Sequence, residues 1–238
     1  FTILFVIVAA ACSQHSRPES HIFRGSDSLY TGQVAMLTYQ KDPERALVII
    51  DSAQVVGNVD AFTADFLRAT VYGRSVDDPQ KEKAIQLCLN LLERPEANAQ
   101  TKESADVRLN ILGVLTGAYR IRRDYENWIK CSIEIAELNR KMGYETEALR
   151  TEAEIGSILA FIGREEEGIQ KLDEAIEALS DNTRPSVDRM DSWIVAVKRK
   201  INVLEERGEY QEMAPLAQAI LDNIEDYESR PQAYAEDS

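Results

Sequence analysis

From Ser28 onward apolar residues recur at intervals of three and four, broken only by short polar or glycine-bearing stretches. That period predicts helix after helix with no strand between them. The clearest unit runs from Leu149 to Ser180. Its first helix is expected to place Ile155, Ile158, Leu159 and Ile162 on one face. Gly163 then ends it, because the residue after a helix often takes a positive φ. A second helix follows with Ile169, Leu172, Ile176 and Leu179 facing inward. Two helices joined by so short a turn pack antiparallel. Nearer the start of the chain, Asp42-Pro43 and Asp78-Pro79 read as helix beginnings.

The same template fits the unit after this one, with Ile201, Leu204, Gly208, Tyr210 and Ile220 in register, and the unit before it, with Leu115, Tyr119, Asp124, Tyr125 and Ile135. Small residues stand at Gly156, Gly168 and Ala175, with Leu172 between them. This pattern resembles the tetratricopeptide (TPR) family, whose helices cross so closely that a side chain is excluded at those points. Equivalent positions along the chain are Ala46, Ala84, Trp128, Gly168 and Met213, with steps of 38, 44, 40 and 45 residues. The family period is 34, so these helices or their loops are long. The resemblance covers Ser28 to Tyr227 and is strongest in the last three units. It implies an all-α, right-handed α-solenoid of about five antiparallel helix pairs. Residues 228–238 are then a tail or the start of a further element.

Composition agrees with helices and narrows the partners. Glycine numbers only 11 and aromatics 7%, too few for a strand-rich sandwich or barrel. Lysine and arginine total 27 against 41 aspartate and glutamate, a net charge of −14. Phosphate would be repelled on approach, so nucleic acid is not the expected partner. Three cysteines exclude a disulfide framework. Cys88 and Cys131 lie among apolar residues (Leu87, Leu89, Leu91; Ile129, Ile133) and read as small buried hydrophobes. Both histidines, His15 and His21, precede the helical region, so no Ser-His or Cys-His pair is available within it. No zinc-ligand spacing and no glycine-rich phosphate loop occur. The expectation is a non-enzyme with no catalytic residues, no metal and no cofactor. Glu165-Glu166-Glu167 follows a helix-ending glycine and reads as the first turn of the next helix, where the dipole favours negative charge.

Residues Phe1 to Ala11 form an unbroken apolar run ending in small residues. Eleven residues are too few to cross a bilayer, which needs roughly 20, but they suit the apolar segment of a signal peptide. A charged leader start is expected to precede Phe1. Ala9-Ala10-Ala11-Cys12 resembles a bacterial lipobox, with Ala9 where leucine is usual. The resemblance implies residues 1–12 as an export signal cleaved before a lipidated Cys12. Each buried methylene of its acyl chains would add about 0.8 kcal/mol of membrane affinity. An ordinary secretory signal with an incidental cysteine is the alternative. Residues 13–27 read as a polar tether. The expected location is therefore the cell envelope.

In TPR arrays the first helix of each pair lines a concave surface. Carried onto this chain, the groove positions are Asn110, Arg120 and Ile121, then Arg150, Ser157 and Phe161, then Lys198, Asn202 and Glu206. The resemblance thus implies a protein or peptide ligand. Arg120, Arg150 and Lys198 would favour an acidic peptide or a C-terminal carboxylate. Phe161 reads as either a hydrophobic anchor or a packing residue, and Trp128 and Trp193 as inter-helix core. Two functions are expected: a lipid-anchored peptide-binding scaffold, or the extracytoplasmic sensor domain of a longer membrane-bound regulator.

Overall fold

In a computed structural model the described residues are 33–35, 37–38, 40, 42–75, 77–98, 100–180 and 186–234. Cys12, the export signal and the tether lie outside them. Every regular element among the described residues is helical, and there is no strand. Helical turns at 33–35 and 37–38 are followed by α1 (Pro43–Val55), α2 (Ala61–Gly73), α3 (Asp78–Leu92) and the short α4 (Pro95–Asn98). Then come α5 (Lys102–Arg122), α6 (Tyr125–Lys141), α7 (Glu145–Phe161), α8 (Glu165–Leu179), α9 (Val187–Arg207) and α10 (Tyr210–Ser229). A 3-10 turn, Pro231–Tyr234, closes the described chain.

The helix boundaries follow local chemistry. Side-chain oxygens of Asp42, Asp60, Thr101, Asp124 and Ser186 accept a hydrogen bond from the backbone N–H three residues on, at 2.7 to 3.2 Å. Each satisfies one of the donors a helix start leaves orphaned. Gly163 and Gly208 take φ of 88° and 74° and turn the chain out of α7 and α9. Glu165, Glu166 and Glu167 occupy the first turn of α8. At α3 the helix starts at Asp78-Pro79, as the sequence reads. Asp77 is the capping position and makes no side-chain cap bond, while Asp78 and Pro79 already belong to the helix.

Each long helix packs against the next, and α2 also touches α5 while α7 touches α9. The buried side chains form successive clusters rather than one centre. Ala46, Ile50, Ala53 and Leu67 knit α1 to α2. Cys88, Leu91, Ile111, Leu112 and Leu115 join α3 to α5. Leu149, Ala153, Leu172, Ala175, Leu179 and Ala196 join α7, α8 and α9. The tightest approach is α7 on α8. A Cβ at Gly168 would lie 2.5 Å from the Ala160 amide nitrogen and the Gly156 carbonyl oxygen, and one at Gly156 would lie 2.8 Å from the Gly168 carbonyl. Both distances are impossible for real atoms, so glycine is a packing requirement here.

Three apolar positions depart from the expected inward pattern. Ile162 is 39% exposed, because α7 ends at Phe161 and Ile162 falls in the turn. Leu89 and Ile133 also face outward, although their neighbours Leu91 and Ala136 are buried. In α10 no residue is fully buried, Met213 is half-buried, and Pro215 sits inside the helix, where it removes one backbone hydrogen bond. The chain continues helically past Tyr227 to Ser229. Tyr234 then returns to donate its hydroxyl to the Asp226 carboxylate at 2.6 Å. Arg230 binds the same carboxylate through two N–H groups, and the bonds from these two residues hold Asp226 down at about 2, Arg230 having the larger effect.

Candidate functional site

Helix α5 carries Asn110, Arg120 and Ile121 onto one wall of an open cleft of about 610 Å³. The opposite wall comes from Phe66, Thr70 and Arg74 of α2 and its end, and from Val34 and Thr38. Gly113, Val114 and Gly117 of α5 complete the floor. Of the three arginines that end α5, only Arg120 belongs to this cleft. Arg122 reaches away to pair with Glu82 of α3, and Arg123 forms the left-handed turn with φ of 57°.

A second group lies where α6, α7 and α9 meet. Glu154 of α7 accepts the Trp128 indole N–H at 2.9 Å and the Arg199 guanidinium at 3.4 Å. Ser157, one turn on, accepts a second guanidinium N–H of Arg199 at 3.2 Å while donating its own hydroxyl to the Glu154 carbonyl. Phe161, at the end of α7, is 58% exposed and holds its ring 5.4 Å from that of Tyr125, which stacks with Trp128 at 6.3 Å. The Phe161 ring therefore both packs and faces solvent.

The electrostatics join the two groups. Arg199 is pushed below the ordinary arginine value chiefly by burial, and Glu154 opposes this. The charges of Arg150 and Arg120 add to the depression. Arg120 of α5 and Arg150 of α7 thus each act on Arg199 of α9. Arg150 also acts on Asp191 of α9, whose carboxyl is raised by burial and by Asp188 and lowered by Arg150. A guanidinium at a partly desolvated surface gains from an arriving carboxylate, which it can grip with two parallel N–H bonds.

Of the residues expected from sequence, Asn110 and Arg120 share the α2–α5 cleft, and Ser157 lies in the Glu154–Arg199 network. Arg150 is exposed and within the field of Arg199. Lys198 and Asn202 are exposed on α9. The cation of α9 that meets α7 is Arg199, which sequence reasoning passed over, along with Glu154. A signal existed: Arg199 falls in the stripe Ser192, Ala196, Val203 at helical spacing, and those three are buried. An arginine in an otherwise buried stripe asks for a partner.

Other potential chemistry is muted. Burial pushes the Cys88 thiol up to about 12 and the Cys131 thiol to about 11, so both stay protonated and poorly nucleophilic at neutral pH. Among the described residues, no group of three histidine, cysteine, aspartate or glutamate side chains could hold a metal ion. Within the same residues, no helix is long and apolar enough to cross a membrane. A cavity of about 150 Å³ between α8, α9, α10 and the closing turn is lined by Trp193 and Asn223. The indole N–H and amide oxygen there have no partner among the described residues, and the space suits ordered water. Compared with known proteins, the chain matches no family model, no curated protein and no solved structure.

Proposed function

We propose that this chain is a non-catalytic TPR-like scaffold that binds protein or peptide segments along one open face. In this reading the helices form a right-handed solenoid of about five antiparallel pairs: the turns at 33–35 and 37–38 with α1, α2 with α3, α5 with α6, α7 with α8, and α9 with α10. The glycine crossing of α7 and α8 supports it, as do the contacts of α2 with α5 and of α7 with α9. Those contacts are the ones that first helices of successive pairs make in such arrays. A lipid on Cys12 would tether the scaffold to the cell envelope.

The observation that carries the binding reading is the open cleft between α2 and α5 with Arg74 and Arg120 in its lining, in a chain whose net charge is −14. Cations lining a cleft of an acidic protein favour a carboxylate-bearing partner and speed its encounter. The test is binding of fluorescent acidic peptides with Arg74 and Arg120 reversed to glutamate. Affinity should fall at least tenfold and weaken steeply with salt in the parent protein; unchanged affinity would refute the reading. For the tether, Cys12→Ala should move the protein from membrane to soluble fractions.

A further inference from the structure

Glycine inside a helix is unfavourable, because its backbone is freer in the unfolded chain and its helical segment exposes more polar surface. Within its helix Gly168 has a reason for being there: a Cβ would collide with α7. Gly113 and Gly117 of α5 have no such reason among the described residues, since a Cβ at either would meet none of their atoms within 4 Å. One turn apart, both face the α2–α5 cleft, and the bare strip of helix between them is bordered by Phe66, Val114 and Ile121. The cleft volume of about 610 Å³ is in the range of sites that enclose ligand groups. Ile121 is 51% exposed at its rim.

The polar features of the cleft are not spread evenly. Arg120 stands at the end of the glycine strip and is also one of the charges felt by Arg199. The apolar strip therefore ends beside a cation that lines the same cleft. Charge complementarity fixes the chemistry of an occupant that follows both: aliphatic where the glycines are bare, anionic at Arg120.

We propose that the cleft between α2 and α5 receives the aliphatic residues of a peptide partner, seated against Gly113 and Gly117, while an adjacent carboxylate of the same peptide engages Arg120. This deepens the peptide-binding reading and rests on it. Without side chains at the two glycines, the partner reaches within van der Waals distance of the α5 backbone. Its acidic residues supply the Arg120 end of the cleft with the bidentate acceptors that guanidinium groups prefer. Affinity arises from apolar burial and orientation from charge.

The experiment uses the whole chain and ten-residue fluorescein-labelled peptides of two kinds, five leucine and isoleucine residues followed by five glutamates, and five serines followed by five glutamates. Decanoate is the small-molecule control. The first peptide should bind at least tenfold more tightly than the second. Gly113→Leu and Gly117→Leu, which project into open space, should remove that advantage without lowering the melting temperature, and Arg120→Glu should weaken both peptides. If the leucine variants bind both peptides as the parent does, the cleft proposal fails while the arginine-based reading stands. If Arg120→Glu leaves both unchanged, that reading fails as well. Decanoate binding to the parent but not to Gly117→Leu, while neither peptide binds, would overturn the peptide proposal in favour of a small amphiphile.

Discussion

Two glycine pairs, one at the α7–α8 crossing and one on the cleft face of α5, stand in opposite surroundings. At the crossing, backbone meets backbone, and a single added carbon would fall 2.5 Å from Gly156 oxygen and Ala160 nitrogen. On α5 the same added carbon would enter empty space. One pair is demanded by the fold and the other is not, so they answer substitution with opposite signs. That contrast separates what holds this molecule together from what it is free to use for a partner.

The largest effect is expected beside the crossing. Leu172 is fully buried and fills the space that Gly156 and Gly168 leave between the helices. Leu172→Ala should cost about 3 to 4 kcal/mol in denaturant unfolding, combining lost burial with the cavity left behind. Gly168→Ala should follow at about 2 to 3 kcal/mol, because the obstructing atoms are backbone and cannot swing aside. A loss below about 0.5 kcal/mol for Gly168→Ala would mean the helices are not held that close, and the contrast with α5 would collapse.

The crossing was legible in sequence because a repeating template marks small positions: Gly156, Gly168 and Ala175 stood out with Leu172 between them, and the structure buries Leu172 and Ala175. The α5 glycines were not, since no template slot demands them and a pattern of apolar spacing treats glycine as silence. Arg199 was missed for a geometric reason. Adjacent residues on a helix point 100° apart, so choosing Lys198 instead of Arg199 required knowing which side of α9 meets α7. That packing angle is set by Ala196, Val203 and their neighbours together, not by any single residue. Ile162 was misplaced because helix ends are uncertain by a residue or two from sequence, and here one residue separates the buried stripe from the turn.

A control of intermediate size tests whether α5 and its partner helix respond as ordinary helices elsewhere. Asp124 caps α6 immediately after α5, its carboxylate accepting the Asn127 N–H at 3.2 Å. Asp124→Ala should cost about 1 kcal/mol. Cys88, enclosed against α5 and held at about 12 by burial, offers a separate readout. At pH 8 it should resist thiol labelling until the core opens. A raised thiol value means the folded state keeps its proton longer than the unfolded chain. Stability is therefore complete below the ordinary value of 9.0 and declines as pH rises from there towards about 12.

The smallest effect carries the most information, because its sign is the point. Gly117→Ala adds a methyl group that meets no atom of the described residues within 4 Å on a helix of 21 residues, so nothing among them opposes it. The unfolded chain loses freedom, and the helix should gain about 0.5 to 1 kcal/mol. Cys88 labelling should stay slow, since the core side of α5 is untouched. A stabilising alanine at Gly117 beside a damaging one at Gly168 would establish that the fold tolerates, and even prefers, a side chain where the cleft has none. The absence of that side chain then requires an explanation outside the folded chain itself. A destabilising alanine at Gly117 would instead show that α5 needs glycine for its own packing, and the reason for reserving the cleft for a visitor would be gone.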